Sequence, residues 1–235
     1  MDLHIKRFNP SECKKFSVWL IVGCRGSGKT MLLQDILYNT RRDYDVGIIA
    51  MTATEPTAMA LKNIFPKTLV HSDGFNFERA DAVLRLAKNF SHTGKTRRFL
   101  MVLDDVAFDS KVMKSDFMNQ IHLNGRHHKI TLISTTQYCM TCGPMIRTNI
   151  DYVFAFYDNN VSNRKKLYEN FFGVFNSFPQ FDKTFKGLCS QYTCMVLDNT
   201  NKQNHLESSI YWYKASPEIP SSFSSPRDQL FHSQL

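Results

Sequence analysis

Gly23, Gly28, Lys29 and Thr30, in the stretch "GCRGSGKT", occupy the fixed positions of the pattern G-x-x-x-x-G-K-S/T. That spacing suits a chain of phosphates. Glycines let the backbone curl until successive N–H groups point inward at phosphate oxygens. A helix beginning at the loop's end adds its unpaired N–H groups and the positive end of its dipole. In such a loop the lysine, Lys29, reaches the β- and γ-phosphates of a nucleotide, and the Thr30 hydroxyl ligates Mg²⁺. The expected cradle is Gly23 with Arg25, Gly26, Ser27, Gly28, Lys29, Thr30 and Met31. Arg25 stands at a variable position and has no catalytic assignment. The bland alternative is an ordinary glycine-rich turn. The context favours the phosphate loop: the apolar run "FSVWLIV" precedes it and the helix-periodic "KTMLLQDILYNT" follows.

Phosphoryl transfer to water also needs carboxylates. "RFLMVLDDV" ends an apolar strand in Asp104 and Asp105. One acid can orient the metal, which assigns Asp104 to Mg²⁺ with Thr30. The next acid can polarise the attacking water. The alternative, a solvated turn, fits poorly with two acids directly capping an apolar strand. Gln137 ends the next strand, "KITLISTTQ", where a polar side chain can sit between the acids and the γ-phosphate and sense hydrolysis. Alone it is a strand-end glutamine. Following the acidic strand, it suggests the additional-strand division of phosphate-loop ATPases, which includes motors. Motors often complete the site with an arginine from a neighbouring subunit. Arg126 in "NGRHHK" and Arg147 in "PMIRTNIDY" are the candidates, each weighed against an ordinary surface arginine.

The elements that must hold these residues follow from hydrophobic periodicity. Short apolar runs at 16–22, in "YDVGIIAM", at "TLVH", at 99–103, in "KITLISTTQ" and in "IDYVFAFYD" read as strands. Between them lie helical patterns. One starts after the loop, with Met31, Leu32, Ile36 and Leu37 on its apolar face. A second opens at Thr54 with a proline early in the helix. A third sets Ala82, Leu86 and Phe90 on one face. A fourth is opened by Ser115 or Asp116 and stopped at Gly125, and a fifth is "SNRKKLYENFFGVF". After Pro179, "YTCMVLDN" and "SSIYWYKA" read as a late antiparallel pair. The expected fold class is α/β, a three-layer P-loop NTPase sandwich. Its sheet is mainly parallel, with added antiparallel C-terminal strands. Ligands then bind beyond the carboxyl ends of the strands, where Gly23, Asp104, Asp105 and Gln137 all fall. Residues 1–216 are expected to form one ATPase domain. Residues 217–235, rich in Ser and Pro, read as a disordered tail.

The chain of 235 residues is 43% hydrophobic, long enough for one sizeable core, and its net charge of +8 modestly favours a polyanionic partner. No run of about 18 apolar residues reads as a membrane span. The N-terminus "MDLHIKRFNP" lacks an apolar signal core, so secretion is not expected. Cys139, Cys142, Cys189 and Cys194 could bind zinc, but Cys194 sits in an apolar strand and the spacing is irregular, so reduced thiols are the reading. His127 and His128 lack a spaced partner for a metal. Two basic stretches, Lys95 with Arg97 and Arg98, and Arg164 with Lys165 and Lys166, read as solvated surface, with a DNA-lined pore as the rival.

"GCRGSGKT", "MTATEPTAMALKNIFPKTLVH", "FLMVLDDV", "NGRHHKITLISTTQ", "MIRTNIDYVFAF" and "YTCMVLDNT…IYWYKA" occur in one order. Together, over roughly residues 10–215, they resemble the genome-packaging ATPases of large double-stranded DNA viruses, the poxvirus and giant-virus type in the FtsK–HerA superfamily. The phosphate loop is widely shared; the "GRH" before the sensor strand, the strand-end Gln and the "R-x-N-x-D" segment are more specific. The resemblance implies a homo-oligomeric ring that hydrolyses ATP with Mg²⁺ to pump double-stranded DNA, without sequence preference, into a preformed capsid. It places the work in the host cytoplasm at the assembly site or in the virion. Lys29 and Thr30 take the loop roles, Asp104 the metal carboxylate, Gln137 the sensor, and Arg126 or Arg147 the trans-acting arginine. Many members carry Asp-Glu where this chain has Asp104-Asp105, so Glu55 in "TATE" stands beside Asp105 as a possible catalytic base. A capsid or portal protein is a further expected partner, with the late strand pair and the tail as the segments that could contact it. Two other functions compete: another DNA-translocating ATPase or helicase, and a nucleotide-gated scaffold at the capsid portal.

Overall fold

The computed structural model describes residues 4–219 except 46–47, 66, 95–96, 106–109, 139–142, 191 and 202–204. Among the described residues nine strands form one sheet: β1 (Lys6–Arg7), β2 (Val18–Val22), β3 (Ile48–Thr52), β4 (Val70–His71), β5 (Phe99–Asp104), β6 (Ile130–Thr136), β7 (Tyr152–Ala155), β8 (Thr193–Asp198) and β9 (Ile210–Lys214). Their order across the sheet is β1-β9-β8-β7-β2-β6-β5-β3-β4. The loop-bearing strand β2 is central and pairs in parallel with β6 and β7. Only β8 runs against the others, antiparallel to both β7 and β9.

The expected late hairpin is therefore β8 and β9. The two-residue β1, which pairs in parallel with β9, was too short to leave a pattern in the sequence.

The helices are α1 (Lys29–Thr40), α2 (Glu55–Lys62), α3 (Phe77–His92), α4 (Ser110–Met113), α5 (Asp116–Asn124), α6 (Pro144–Arg147), α7 (Val161–Asn170), α8 (Phe178–Leu188) and α9 (Leu206–Ser209). Side chains alternate across the strands, so the sheet has a core on each face. Val18, Leu20 and Val22 of β2 join Phe99, Met101 and Leu103 of β5 in the core under α3, α5, α7 and α8. Trp19 and Ile21 join Leu100 and Val102 in the opposite core, under α1 and α2. This is the three-layer α/β sandwich.

Helix starts follow local capping chemistry. Ser115 Oγ accepts from the Met118 N–H 3.3 Å away and opens α5, and Asn76 Oδ1 accepts from the Arg79 N–H at 3.0 Å and opens α3. Thr54 precedes α2, with Pro56 in its first turn. Two expected apolar faces are corrected. Met31 is 43% exposed, and α1 instead buries Leu32, Leu33, Ile36 and Leu37. In α3, Ala82 faces solvent, and the buried line is Ala80, Leu84 and Ala87, with Leu86 and Phe90 packed partly against it. The tail expected from Pro217 lies, from residue 220 on, outside the described residues, as do Lys95, Cys139 and Cys142.

Candidate functional site

The site is built at the carboxyl ends of β2, β6 and β5. Register sets Thr52, Asp104 and Thr135 side by side on three adjacent strands, β3, β5 and β6. Asp104 is only 4% exposed. Its carboxylate accepts from Thr52 Oγ1 at 2.8 Å and from Thr135 Oγ1 at 2.6 Å. A buried carboxylate is tolerable only with such partners. The two hydroxyls fix its orientation. Sequence reasoning passed over Thr52 and Thr135; their signal is a threonine at or next to the end of an apolar strand in each neighbour of the acidic strand.

Asp105 has φ 53°, in the left-handed region that Asp tolerates better than most residues. Its N–H donates to Thr135 O at 3.3 Å and to Thr135 Oγ1 at 3.1 Å. That turn lifts its side chain out of the strand and toward Gln137, whose Nε2 donates to Asp105 Oδ2 at 2.7 Å. The expected acid and the expected sensor are thus in direct contact. Glu55 opens α2, one strand farther out. It is exposed and pairs with Lys62 at 3.6 Å.

The loop between β2 and α1 is shaped by its glycines. Gly26 and Gly28 have φ of 78° and 103°. At Gly23 an added Cβ would come within 2.5 Å of Ser27 Oγ and 3.0 Å of Phe156 Cβ, so a side chain there would close the cradle. Lys29 Nζ donates to the loop carbonyls of Gly23 at 2.7 Å and Cys24 at 3.1 Å. Burial lowers the Lys29 pKa, opposed by the charges of Asp105 and Asp104. The same acids that must face a γ-phosphate therefore already act on the lysine. Ser27 Oγ is buried without a hydrogen-bond partner among the described residues. A bound phosphate oxygen would satisfy it. An all-oxygen donor set of Thr30 and Asp104 suits a hard cation such as Mg²⁺, which binds through few protein ligands plus phosphates and water. No group of three or more His, Cys, Asp or Glu side chains that could hold a metal occurs among the described residues. A cavity of about 250 Å³ opens beside the loop, lined by Gly23, Gln137, Tyr138, Phe156 and Asp158.

The remaining candidates lie elsewhere. Arg126 pairs with Asp151 at 2.6 Å, and Asp151 also accepts from the Val18 N–H at 2.8 Å. Arg147 ends α6, just before β7. Both arginines sit at the amino ends of the strands, the length of β2 away from this chain's own loop, roughly 15 Å. They are not brought to the loop of their own subunit.

Arg164 is corrected. It is not a solvated or pore residue but 2% exposed, with its Nε donating to Asp182 Oδ1 at 2.5 Å and its Nη1 to the carbonyls of Asp158 and Asn159. Arg98 is held by Asp45 at 2.6 Å. Cys189 and Cys194 are buried thiols; burial pushes Cys189 up to about 12 and Cys194 well above its usual range, which suits inert core cysteines rather than zinc ligands.

The strand order, with the loop strand flanked by the sensor strand and the acidic strand beyond it, defines a phosphate-loop ATPase. The family profile of the poxvirus A32 protein matches residues 6–170, and the chain belongs to that family. Protein 075L of Invertebrate iridescent virus 6 is 30% identical over 196 residues, spanning 82% of this chain and 75% of the relative. Protein L437 of Acanthamoeba polyphaga mimivirus is 27% identical over 210 residues, spanning 83% and 72%. Among solved structures, the DNA-packaging ATPase B204 of Sulfolobus turreted icosahedral virus aligns with a TM-score of 0.62 at 16% identity, covering 87% of this chain and all of that one. The genome packaging NTPase B204 of Sulfolobus turreted icosahedral virus 2, in complex with AMP, gives 0.59 at 16%, covering 90% and 100%. At these identities the structural likeness bears on the fold. No described helix is long and apolar enough to cross a membrane.

Proposed function

We propose that this chain is the ATP-hydrolysing motor that drives double-stranded viral DNA into a preformed capsid. The observation that carries the reading is the contact of Gln137 with Asp105 beside Asp104, facing the Lys29 loop, in a member of the A32 family. The B204 neighbours, described as packaging enzymes, support it.

Residues 1–216 form the working domain. The loop amides from Gly26 to Thr30 and the start of α1 bind the phosphates, and Lys29 leaves the loop carbonyls to neutralise them. Thr30 and Asp104 would hold Mg²⁺, which would supply charge neutralisation to the phosphates. Thr52 and Thr135 keep Asp104 aimed. Asp105 is the base: it sits beside the loop, whereas Glu55 is exposed and paired with Lys62. Gln137 donates to Asp105 and aligns it, so its geometry reports whether the γ-phosphate is present. Arg126 or Arg147 reaches the loop of the next subunit in a homo-oligomeric ring. For Arg126 this means leaving its pair with Asp151, whose carboxylate stays held by the Val18 N–H. The ring works at the viral assembly site in the host cytoplasm or in the virion, gripping DNA backbone phosphates without reading sequence.

The test is Lys29→Ala. ATP turnover is expected to fall to background while far-UV circular dichroism and the thermal midpoint stay near wild type. Wild-type turnover in that variant would remove the site from the account.

A further inference from the structure

The sheet order fixes which way a nucleotide must lie across the loop. Gln137 follows β6, one strand spacing or roughly 5 Å from β2, and Asp104 and Asp105 end β5, two spacings or roughly 10 Å out on the same side. The γ-phosphate must point to that side. With the β-phosphate in the loop, the nucleoside leaves toward the other side, over β7 and β8. Tyr192 is the residue that leads into β8 there.

Three observations single it out. Its ring overhangs the loop: a Cβ placed on Gly28 would lie 3.1 Å from Tyr192 Cδ1, with Phe156 Cε1 behind it at 3.7 Å. The residue is 67% exposed, so it adds little to the core. Its backbone φ is 67°, a left-handed conformation that is unfavourable for an aromatic residue and natural for glycine, at a turn closed by the Thr193 N–H to Ser190 O at 3.0 Å. An exposed aromatic in a glycine conformation, laid against the loop on the nucleoside side, serves stability poorly and offers a π-face to a base. Nothing in the phosphate chemistry of the site uses it.

We propose that Tyr192 is the nucleobase platform of the site, stacking on the base of the bound nucleoside triphosphate, with Gly28 kept small so that the ring can close over the loop. The inference rests on the ATP-site reading and adds to it a residue that distinguishes a nucleotide from a bare triphosphate.

The experiment compares ATP and inorganic tripolyphosphate as ligands, by equilibrium binding to the full chain, for wild type, Tyr192→Gly, Tyr192→Phe and Tyr192→Trp. Stacking on an aromatic contributes enough that its removal should weaken ATP binding about tenfold. In Tyr192→Gly the tripolyphosphate affinity should stay within a factor of two of wild type, and the thermal midpoint should equal or exceed it because glycine relaxes the turn. Tyr192→Phe and Tyr192→Trp should keep ATP affinity. Equal loss of ATP and tripolyphosphate, or no loss of either, would overturn the proposal. A wild-type chain that binds neither ligand would overturn the nucleotide site itself, and the platform with it.

Discussion

Two carboxylates, Asp105 and Glu55, compete at the level of single residues to activate water. Asp105 and Glu55 were indistinguishable in the sequence: each follows a strand, and the familiar Asp-Glu pair is absent. The structure separates them by partners. Asp105 is fixed by Gln137 at 2.7 Å beside the loop, and Glu55 leans on Lys62 at the exposed start of α2. A positioned general base contributes on the order of 10²–10⁴ in rate. Asp105→Asn is therefore expected to lower kcat by at least about 10² with ATP affinity little changed, and Glu55→Gln by less than about threefold. Single-turnover kinetics checks both, and the reverse ranking would move the base to Glu55. The placement of Lys29, Asp104 and Gln137 at one end of the sheet was legible because fixed spacing and strand-end position report it directly. Thr52 and Thr135 were not, since a threonine at a strand end looks the same whether or not a carboxylate lies across the sheet from it. Tyr192 was hidden for a related reason: its meaning comes from Gly28, 164 positions earlier in the chain.

At the scale of elements, periodicity located every strand of the sheet except the two-residue β1, because runs buried on both faces are continuously apolar. It failed where the signals were short or ambiguous. Helix α8 has Ser177 as its cap, Pro179 in its first turn, and Phe181 and Phe185 buried. The proline marks a helix start, yet in the sequence it reads as a break.

Helix α5 carries a further consequence. His122 is buried against Met118 and Met113, its Nδ1 donates to Met118 O at 2.8 Å, and burial lowers its pKa to about 4 from an ordinary 6.5. The folded chain thus keeps His122 neutral where the unfolded chain would protonate it. This contribution is complete above about pH 6.5 and is lost as the pH falls toward 4, at a cost on the order of 2–3 kcal/mol. Chemical denaturation from pH 7 to pH 4.5 should show His122→Met losing less stability than wild type. Parallel losses in the two proteins would show that His122 does not set the acid sensitivity.

At the scale of the whole molecule, the loop and the candidate arginines lie at opposite ends of the strands. A protomer with its acids at one end of the sheet and Arg126 and Arg147 at the other suits head-to-tail contacts, which close into a ring when the rotation allows. The net charge of +8 suits a DNA partner, although Arg164 and Arg98, both in basic stretches of the sequence, are used up inside the fold by Asp182 and Asp45. Charge runs do not reveal such pairing because the partner acids come from distant segments. The most direct test of the motor is ATP turnover by the purified chain across protein concentration, with and without long double-stranded DNA. Turnover is expected to be stimulated by DNA and to rise cooperatively with concentration, as an arginine supplied by a neighbour requires. Turnover indifferent to both DNA and concentration would contradict it, leaving an ATPase with no coupling to DNA.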